Sequence, residues 1–376
     1  MHKWGQHHTG PIVGIITTGK SKNRSGSGNI ERLFKELISC GRPKNIFTYY
    51  FYPRGINWKH RVIKGYSHDG RKWCSGIYPF PDIVYNRILY RNIEGSTEIK
   101  NILKKFQQDK DIHLFNSRFL EKWEVHKVIS NNKDTAHLVP DTELLTRETL
   151  GYMLKRHQEV LLKPRHSSRG QGIIKIIKFP GGHYAFSRAE WKTPRWIKAA
   201  SFNSLVRHLE VSRVFNKNYL IQECIELTRH NGRIFDLRSQ FQKNGEGKWV
   251  LTGVGVRIAG KNRFVTHIPN GGSLASYDDI IPLFNDLTAD ESQSFDRQLK
   301  TIGLFIPKLL EESLQINLAV LSMDIGIDPR GKMLILEINS KPARFDEPHI
   351  RQRHHINLVD YFLYLTGKKY KRNDKQ

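Results

Sequence analysis

Residues 323–342 read MDIGIDPRGKMLILEINSKP, and this stretch decides how the rest of the chain is understood. It predicts a β-hairpin. Residues 320–327 form an apolar run with β-branched members, and residues 332–338 form a second run dominated by Met, Leu and Ile. Between them Asp328, Pro329, Arg330 and Gly331 carry turn chemistry, with Pro at the second position and Gly at the fourth. With Asp328 facing Gly331, Asp324 is expected opposite Ile335, and Glu337 at the diagonal position on the same face. Asn339 follows Glu337 by two residues and shares that face. An otherwise apolar hairpin thus presents Asp, Glu and Asn from one side. Two carboxylates in apolar surroundings repel each other and lose hydration unless a cation lies between them. Such oxygen donors suit Mg²⁺ or Mn²⁺ shared with substrate phosphates. The plainer alternative is a hairpin whose polar face meets water, because Asp and Glu are mostly exposed.

At 376 residues the chain has room for two or three packed units. Hydrophobic residues at 38% and aromatics at 11% place it among globular proteins and exclude a disordered chain. No run approaches the ~18 apolar residues that a membrane span needs, and the N-terminal segment has no apolar core of a secretory signal. Cys40, Cys74 and Cys224 are odd in number and far apart. They point to a reducing compartment and against a disulfide framework or a zinc site. The 17 histidines show no metal-ligand spacing; the adjacent pairs His7-His8 and His354-His355 are expected at the surface. The formal net charge of +25 is spread along the chain and is somewhat denser at the front. Such a field attracts polyanions, from nucleotides and acidic peptides to nucleic acid. No helix-turn-helix, zinc-finger or RNP-type pattern accompanies it, so nucleic acid is not the favoured partner.

The front of the chain predicts β-α-β: a short β-rich run at 11–18, a polar Gly/Ser loop at 19–28, a helix at 29–39 with Asn29 as N-cap, and a strand at 46–52. The loop lacks the phosphate-loop and dinucleotide fingerprints and is read as a mobile loop. Residues 57–78 are basic and aromatic; they fit a twisted hairpin with aromatic cross-strand pairs, or a stacking surface for nucleic acid. A strand at 82–90, a helix at 97–108 and residues 113–116 close the first unit. Helices follow at 119–131 and 147–156. Residues 159–179, EVLLKPRHSSRGQGIIKIIKF, read as strand, loop, strand, with Lys163 ending the first strand. The loop is either a phosphate-covering flap of glycines and cations or an ordinary solvated turn. Residues 180–200 are read as an aromatic, Pro-containing connector and 202–211 as a helix. Strands are expected at 219–225, 235–241 and 249–258, a turn-rich loop at 266–273 and a long helix at 290–312. A closing helix at 354–365 and a frayed polar tail at 368–376 finish the chain.

In order, the chain offers Lys127 on a helix, Lys163 before the Gly-rich loop, Gln222-Glu223 on a strand, and Asp236 with Arg238. Arg257, Asn270-Gly271-Gly272 and Asp324…Glu337-x-Asn339 complete the series. Over residues 116–345 this series resembles the ATP-grasp superfamily. The strings IVYNRILYR, FLEKWEVHKVIS, VLLKPRHSSRGQGI, RIFDLRSQFQKNGEGKWVLTGVGVRIA and SMDIGID…LEINSKPAR resemble its YheC/YheD endospore coat-associated branch across nearly the whole chain.

The resemblance implies an α/β and α+β protein. A pre-ATP-grasp-like α/β unit at 1–115 would precede a two-lobed ATP-grasp module at 116–367 with antiparallel sheets. Its nucleotide-binding lobe would lie at about 116–220 and its metal-binding, catalytic lobe at about 221–367. Lys127 and Lys163 would contact the α- and β-phosphates or the adenine edge. The hinge, Gln222, Glu223, Cys224 and Ile225, would read adenine, and Glu226 or Glu223 would reach the ribose. Here the hinge reads IQECIEL, where many relatives carry a longer acidic set. Arg165, Ser167, Ser168, Gly170 and Gly172 would belong to the flap. Arg238, Arg257 and Lys163 would be catalytic, neutralising the acyl-phosphate oxygens and the transferring phosphoryl group. Asn270, Gly271, Gly272 and Lys341 would hold the acceptor, and Asp324, Glu337 and Asn339 would hold one or two Mg²⁺ or Mn²⁺ ions on ATP. The implied function is ATP- and Mg²⁺-dependent carboxylate–amine ligation through an acyl phosphate. Its substrates would be small molecules or peptides, acidic ones on the strength of the charge. The implied setting is cytoplasmic or spore-coat-associated, linked to sporulation, with coat proteins as partners. The alternative is an ATP-binding structural or assembly protein of the coat with no turnover.

Overall fold

The computed structural model describes residues 10–18, 27–167, 170–267, 271–280, 282 and 289–367. Its strands form three sheets. The first contains β1 (Ile12–Ile16), β2 (Phe47–Asn57), β3 (Val62–His68), β4 (Trp73–Pro79), β5 (Ile83–Asn86) and β6 (His113–Phe115), in the order β4-β3-β2-β1-β5-β6. β1 runs parallel to β2 and β5, and β5 parallel to β6, while β2, β3 and β4 are antiparallel. The expected β-α-β front is present, with α1 (Ser27–Gly41) between β1 and β2. Because α1 begins at Ser27, Asn29 lies inside the helix and is not its N-cap. Residues 19–26 of the polar loop, the His7-His8 pair and the 368–376 tail lie outside the described residues. The basic, aromatic stretch is the β3–β4 hairpin. Tyr50 stacks on Tyr66 at 5.1 Å and meets Trp73 edge-on at 5.2 Å, so these rings pack into the core beneath α1. Helices α2 (Arg91–Glu94) and α3 (Thr97–Gln108) follow β5.

After α4 (Lys122–Ser130) comes the second sheet, built from β7 (Thr142–Leu144), β8 (Glu159–Pro164), β9 (Ile174–Lys178), β10 (Tyr184–Arg188), β11 (Ile197–Ala199) and β12 (Tyr219–Glu223). Its order is β11-β10-β9-β8-β12-β7, and every pair is antiparallel. Leucines of α5 (Arg147–Arg156) and α6 (Phe202–Val211) cover one face. The connector expected at 180–200 supplies two strands, β10 and β11. Tyr184 and Phe186 alternate into this core, a period-2 signal that the neighbouring Gly, Trp and Pro obscure in sequence.

The third sheet holds β14 (Arg233–Lys243), β15 (Trp249–Ile258), β16 (Ser273–Ala275), β17 (Val320–Ile327) and β18 (Met333–Asn339), ordered β16-β15-β14-β17-β18; the short β13 (Arg229–His230) pairs with β14. Phe235, Leu237, Val256, Ile258, Met323 and Ile325 face α4 and α8 (Ala289–Leu314) in one core; the short α7 (Tyr277–Ile280) precedes α8. The central hairpin is β17 and β18. Gly331 N–H donates to Asp328 O at 2.9 Å, and Gly331 adopts φ +80°, which suits glycine. The register corrects the expectation. Asp324 stands directly opposite Glu337, and Ile325 opposite Ile335, because a bulge at Leu336 shifts the pairing by one residue.

The closing helix is longer than expected, α9 (Pro348–Leu365), and it packs Leu358, Val359, Tyr361 and Phe362 into the core of the first sheet. His354 and His355 are buried in it, not on the surface. His354 Nδ1 hydrogen-bonds Gln240 and Gln242 at 2.6 and 2.9 Å, which satisfies it without solvent. Among the described residues no helix is long and apolar enough to cross a membrane.

One close approach sets a testable sign. A Cβ on Gly303 of α8 would overlap the ring of the fully buried Phe241. Replacing a helix-interior Gly by Ala ordinarily gains about 1 kcal/mol, whereas overpacking a core costs about 1–3 kcal/mol. Gly303→Ala is therefore expected to lower the thermal unfolding temperature, and Phe241→Ala to abolish that penalty in the double variant. A rise in the single variant contradicts the packing.

Candidate active site

A cleft of about 1170 Å³ lies between the second and third sheets. Asp236, Asp324 and Glu337 on the polar face of the third sheet line its floor, whereas Arg238, Arg257 and Asn339 of that face do not. Asp236 and Arg238 alternate with the core residues of β14, as do Arg257 on β15 and Asp324 on β17. Register then lines the charges up: Asp236 opposite Arg257, Arg238 opposite Asp324, and Asp324 opposite Glu337. Arg257 donates through Nε and Nη2 to both oxygens of Asp236 at 2.8 Å, and its Nη2 also lies 2.8 Å from Asp324 Oδ2. Burial disfavours its charge, but Asp236 and Asp324 outweigh that and raise the Arg257 pKa above its ordinary value. Burial likewise opposes ionisation of Asp324, and Arg257, Arg238 and His267 overcome it, so its pKa is lowered. Arg238 turns aside. Its guanidinium lies 4.3 Å from the Phe345 ring centre and donates to Ala343 O at 2.8 Å, and burial lowers its pKa.

Asp324, Glu337 and His267 bring donor atoms within 4.8 Å of one another. Asp324 Oδ1 and His267 Nδ1 are buried without a hydrogen-bond partner among the described residues. Burial first, and Arg257 next, lower the His267 pKa, which favours the neutral imidazole. The histidine set, expected to lack ligand spacing, thus contributes through a long-range contact. Asn339 stands opposite Ser322, on the same face as Glu337. Glu337 is balanced by Lys122, 3.5 Å away at the start of α4. Lys127, the lysine expected from that helix, is exposed and does not line the cleft; it sits on the opposite side of α4 from Lys122.

The second sheet supplies the facing wall. Lys163, one residue before the end of β8, donates to Gln222 Oε1, and Gln222 Nε2 donates to Thr142 Oγ1 at 2.9 Å. Burial, reinforced by Lys122, lowers the Lys163 pKa to about 8. Gln222, Glu223, Cys224, Ile225 and Glu226 all line the cleft as the chain passes from β12 towards the third sheet. Glu223 lies 3.8 Å from His157 and accepts from Asp141 N–H at 3.4 Å. Glu226 is exposed and has no ion-pair partner among the described residues, so it is the freer of the two candidate ribose carboxylates. Burial pushes the Cys224 thiol up to about 11, and Lys175 and Glu159 pair beside it at 2.6 Å.

In the loop after β8, Arg165 is committed to Glu121, the N-cap of α4, through contacts of 3.1 and 3.0 Å. Ser167 is half-buried, Gly170 is buried, and Gly172 packs against Pro164 and Tyr219; Ser168 lies outside the described residues. Asn270 does so as well. Gly271 has φ +88°, and Gly272 approaches the Thr266 carbonyl so closely that a Cβ would overlap it. Lys341 departs from expectation. It is buried in an ion pair with Glu94 over the Phe119 ring, and burial lowers its pKa to about 8, so it braces the hairpin exit and is not presented to an acceptor. His267, Lys122 and Lys175 were not anticipated. For Lys122 a signal existed, since it starts the amphipathic helix just after its N-cap carboxylate; for His267 none did.

A family model described as YheC/D like ATP-grasp matches residues 111–365. The endospore coat-associated protein YheD of Bacillus subtilis (strain 168) is 28% identical over 378 residues, covering 96% of this chain and 80% of that protein. Among solved structures, the VanG D-Ala:D-Ser ligase from Enterococcus faecalis has a TM-score of 0.53 at 13% identity, covering 96% of this chain and 99% of that one. D-alanyl-alanine synthetase A from Vibrio cholerae O1 biovar eltor str. N16961 has a TM-score of 0.52 at 12% identity, covering 96% and 98%. The structural likeness shows a shared fold, and the sequence match spans well over half of the residues: the chain belongs to the YheC/D-like ATP-grasp family.

Proposed function

We propose that this protein is an ATP-dependent ligase that joins a carboxylate to an amine through an acyl phosphate, using Mg²⁺ or Mn²⁺. One observation carries the reading: the buried, unpartnered Asp324 Oδ1 and the neighbouring Glu337 face Lys163 across one cleft between two sheets. A carboxylate pair with a spare buried oxygen fits a divalent ion, and a half-buried lysine opposite fits phosphate. When bound, the metal neutralises phosphate oxygens. A substrate carboxylate oxygen attacks the γ-phosphorus and ADP leaves. The amine nitrogen then attacks the acyl carbon, phosphate leaves, and the amide remains. Lys163 donates to a phosphate oxygen, and Asp324, Glu337 and Asn339 hold metal. Arg257 keeps Asp324 ionised and aimed, and Glu226 meets the ribose. Residues 1–115 form the preceding unit, about 116–220 the nucleotide lobe and about 221–367 the metal lobe, each centred on one of the three sheets, although α4 packs on the third sheet, α9 on the first, and β12 of the second sheet extends to Glu223.

The amide-forming chemistry is supported by the fold shared with dipeptide-forming ligases. An acidic peptide or polymer as substrate is supported by the net charge of +25. Likeness to a coat-associated protein along 96% of the chain supports a role in sporulation, in the cytoplasm or at the coat, with coat proteins as partners. The same likeness favours one second reading, an ATP-binding assembly protein without turnover.

ADP and phosphate release from Mg-ATP, with and without pools of amino acids and short peptides, separates the two. Release that depends on one pool and falls on the order of 100-fold or more in Glu337→Ala supports the ligase. Binding of ATP without release in any pool supports the assembly protein. The pH dependence has a definite sign. Lys163, with a pKa of about 8, is cationic below that pH and loses its charge above it. ATP affinity is expected to fall as pH rises through about 8, and Lys163→Arg, which stays charged, to remove the inflection. An unchanged profile in that variant rules out Lys163 as the titrating contact.

A further inference from the structure

We propose that His267 is a further protein ligand of the ion held by Asp324, Glu337 and Asn339, and that the site thereby selects a first-row transition-metal ion over Mg²⁺. The inference rests on the metal reading of the cleft given above. The side chains of His267, Asp324 and Glu337 converge within 4.8 Å. Donors around one octahedral ion at about 2.1 Å lie about 3 Å apart when adjacent and about 4.2 Å when opposed, so donors within 4.8 Å of one another enclose an ion once the side chains close by a few tenths of an ångström. Two of the three residues carry a buried atom that no other described residue satisfies, Asp324 Oδ1 and His267 Nδ1. A buried unpaired polar atom costs about 1–3 kcal/mol, and one cation between the two satisfies both at once. The other Asp324 oxygen is already taken by Arg257 at 2.8 Å, which leaves Oδ1 as the free donor.

The ring is also placed by construction. Thr266, the preceding residue, is buried and donates its hydroxyl to Asp236, the same carboxylate that grips Arg257. Gly272 folds against the Thr266 carbonyl, where a side chain would not fit. His267 is thus tied through Thr266, Asp236 and Arg257 to the aspartate it would share the ion with. Mg²⁺ prefers oxygen donors and retains its waters, whereas imidazole nitrogen suits first-row transition ions. Two carboxylates, the Asn339 amide oxygen and one imidazole make a mixed oxygen–nitrogen set.

The test uses Mn²⁺ as probe on the full chain with a non-hydrolysable ATP analogue, read by electron paramagnetic resonance. Bound Mn²⁺ is expected to show nitrogen modulation in spin-echo spectra that changes when histidine is ¹⁵N-labelled, which excludes the nucleotide as its source. His267→Asn, which offers an amide oxygen, is expected to lose that modulation, to weaken Mn²⁺ binding about tenfold or more, and to need less Mg²⁺ for displacement. His267→Gln repeats the comparison, with thermal unfolding as the check that each variant folds. Mn²⁺ bound without histidine nitrogen coupling, and with the same Mg²⁺ competition in both variants, overturns the role of His267 and leaves the metal reading standing. No Mn²⁺ bound even with the analogue overturns both.

Discussion

The structure turns on one buried guanidinium. Arg257 bridges Asp236 and Asp324 across three adjacent strands, each contact at 2.8 Å. Removing charges from water costs several kcal/mol per ion, so such a group persists only with close partners. Here two carboxylates meet one guanidinium, and Arg238, opposite Asp324, acts on it as a further cation beneath the cleft. Lys122 and Lys163 approach it from α4 and from the second sheet, and Lys163 is lowered to about 8 because burial and Lys122 both work against its charge.

The hairpin that carries Asp324 and Glu337 is held at both ends by the first unit. Asn116 accepts from Ala319 and Val320 N–H groups at 3.0 and 3.2 Å where β17 begins. Beyond β18, Lys341 pairs with Glu94, Arg87 donates to Pro342 O at 3.2 Å, and Arg344 reaches Glu36 at 2.8 Å. Helix α9 then buries itself against the first sheet. The first sheet and its helices therefore clamp the strands that carry Asp324 and Glu337. Its buried Lys341–Glu94 pair is costly to break, which makes it a register device for the hairpin exit.

Much of this was legible in residue patterns. β17 spans the apolar run read from sequence, the turn closes at Gly331, and α3, α5, α6 and β15 follow periodicities of 3.6 and 2. These signals are local, so local rules recover them. What escaped was set by contacts distant in sequence. The bulge at Leu336 has no glycine to announce it, yet it places Asp324 opposite Glu337. Lys341 sits in a motif that suggests a ligand-facing lysine, and only the fold brings Glu94 beside it. His354 and His355 look like surface residues until Gln240 and Gln242 are seen to receive the first of them. His267 stands in a turn-rich loop with no ligand spacing, and the third sheet alone carries it to the carboxylates.

The central claim is that the cleft between the second and third sheets binds nucleotide through a metal held by β17 and β18. Isothermal calorimetry with a non-hydrolysable ATP analogue tests it directly, with divalent ion present and then chelated. The account predicts one nucleotide per chain, bound in the presence of the ion and lost on chelation. Binding of equal strength without any divalent ion, or none with it, would contradict the account.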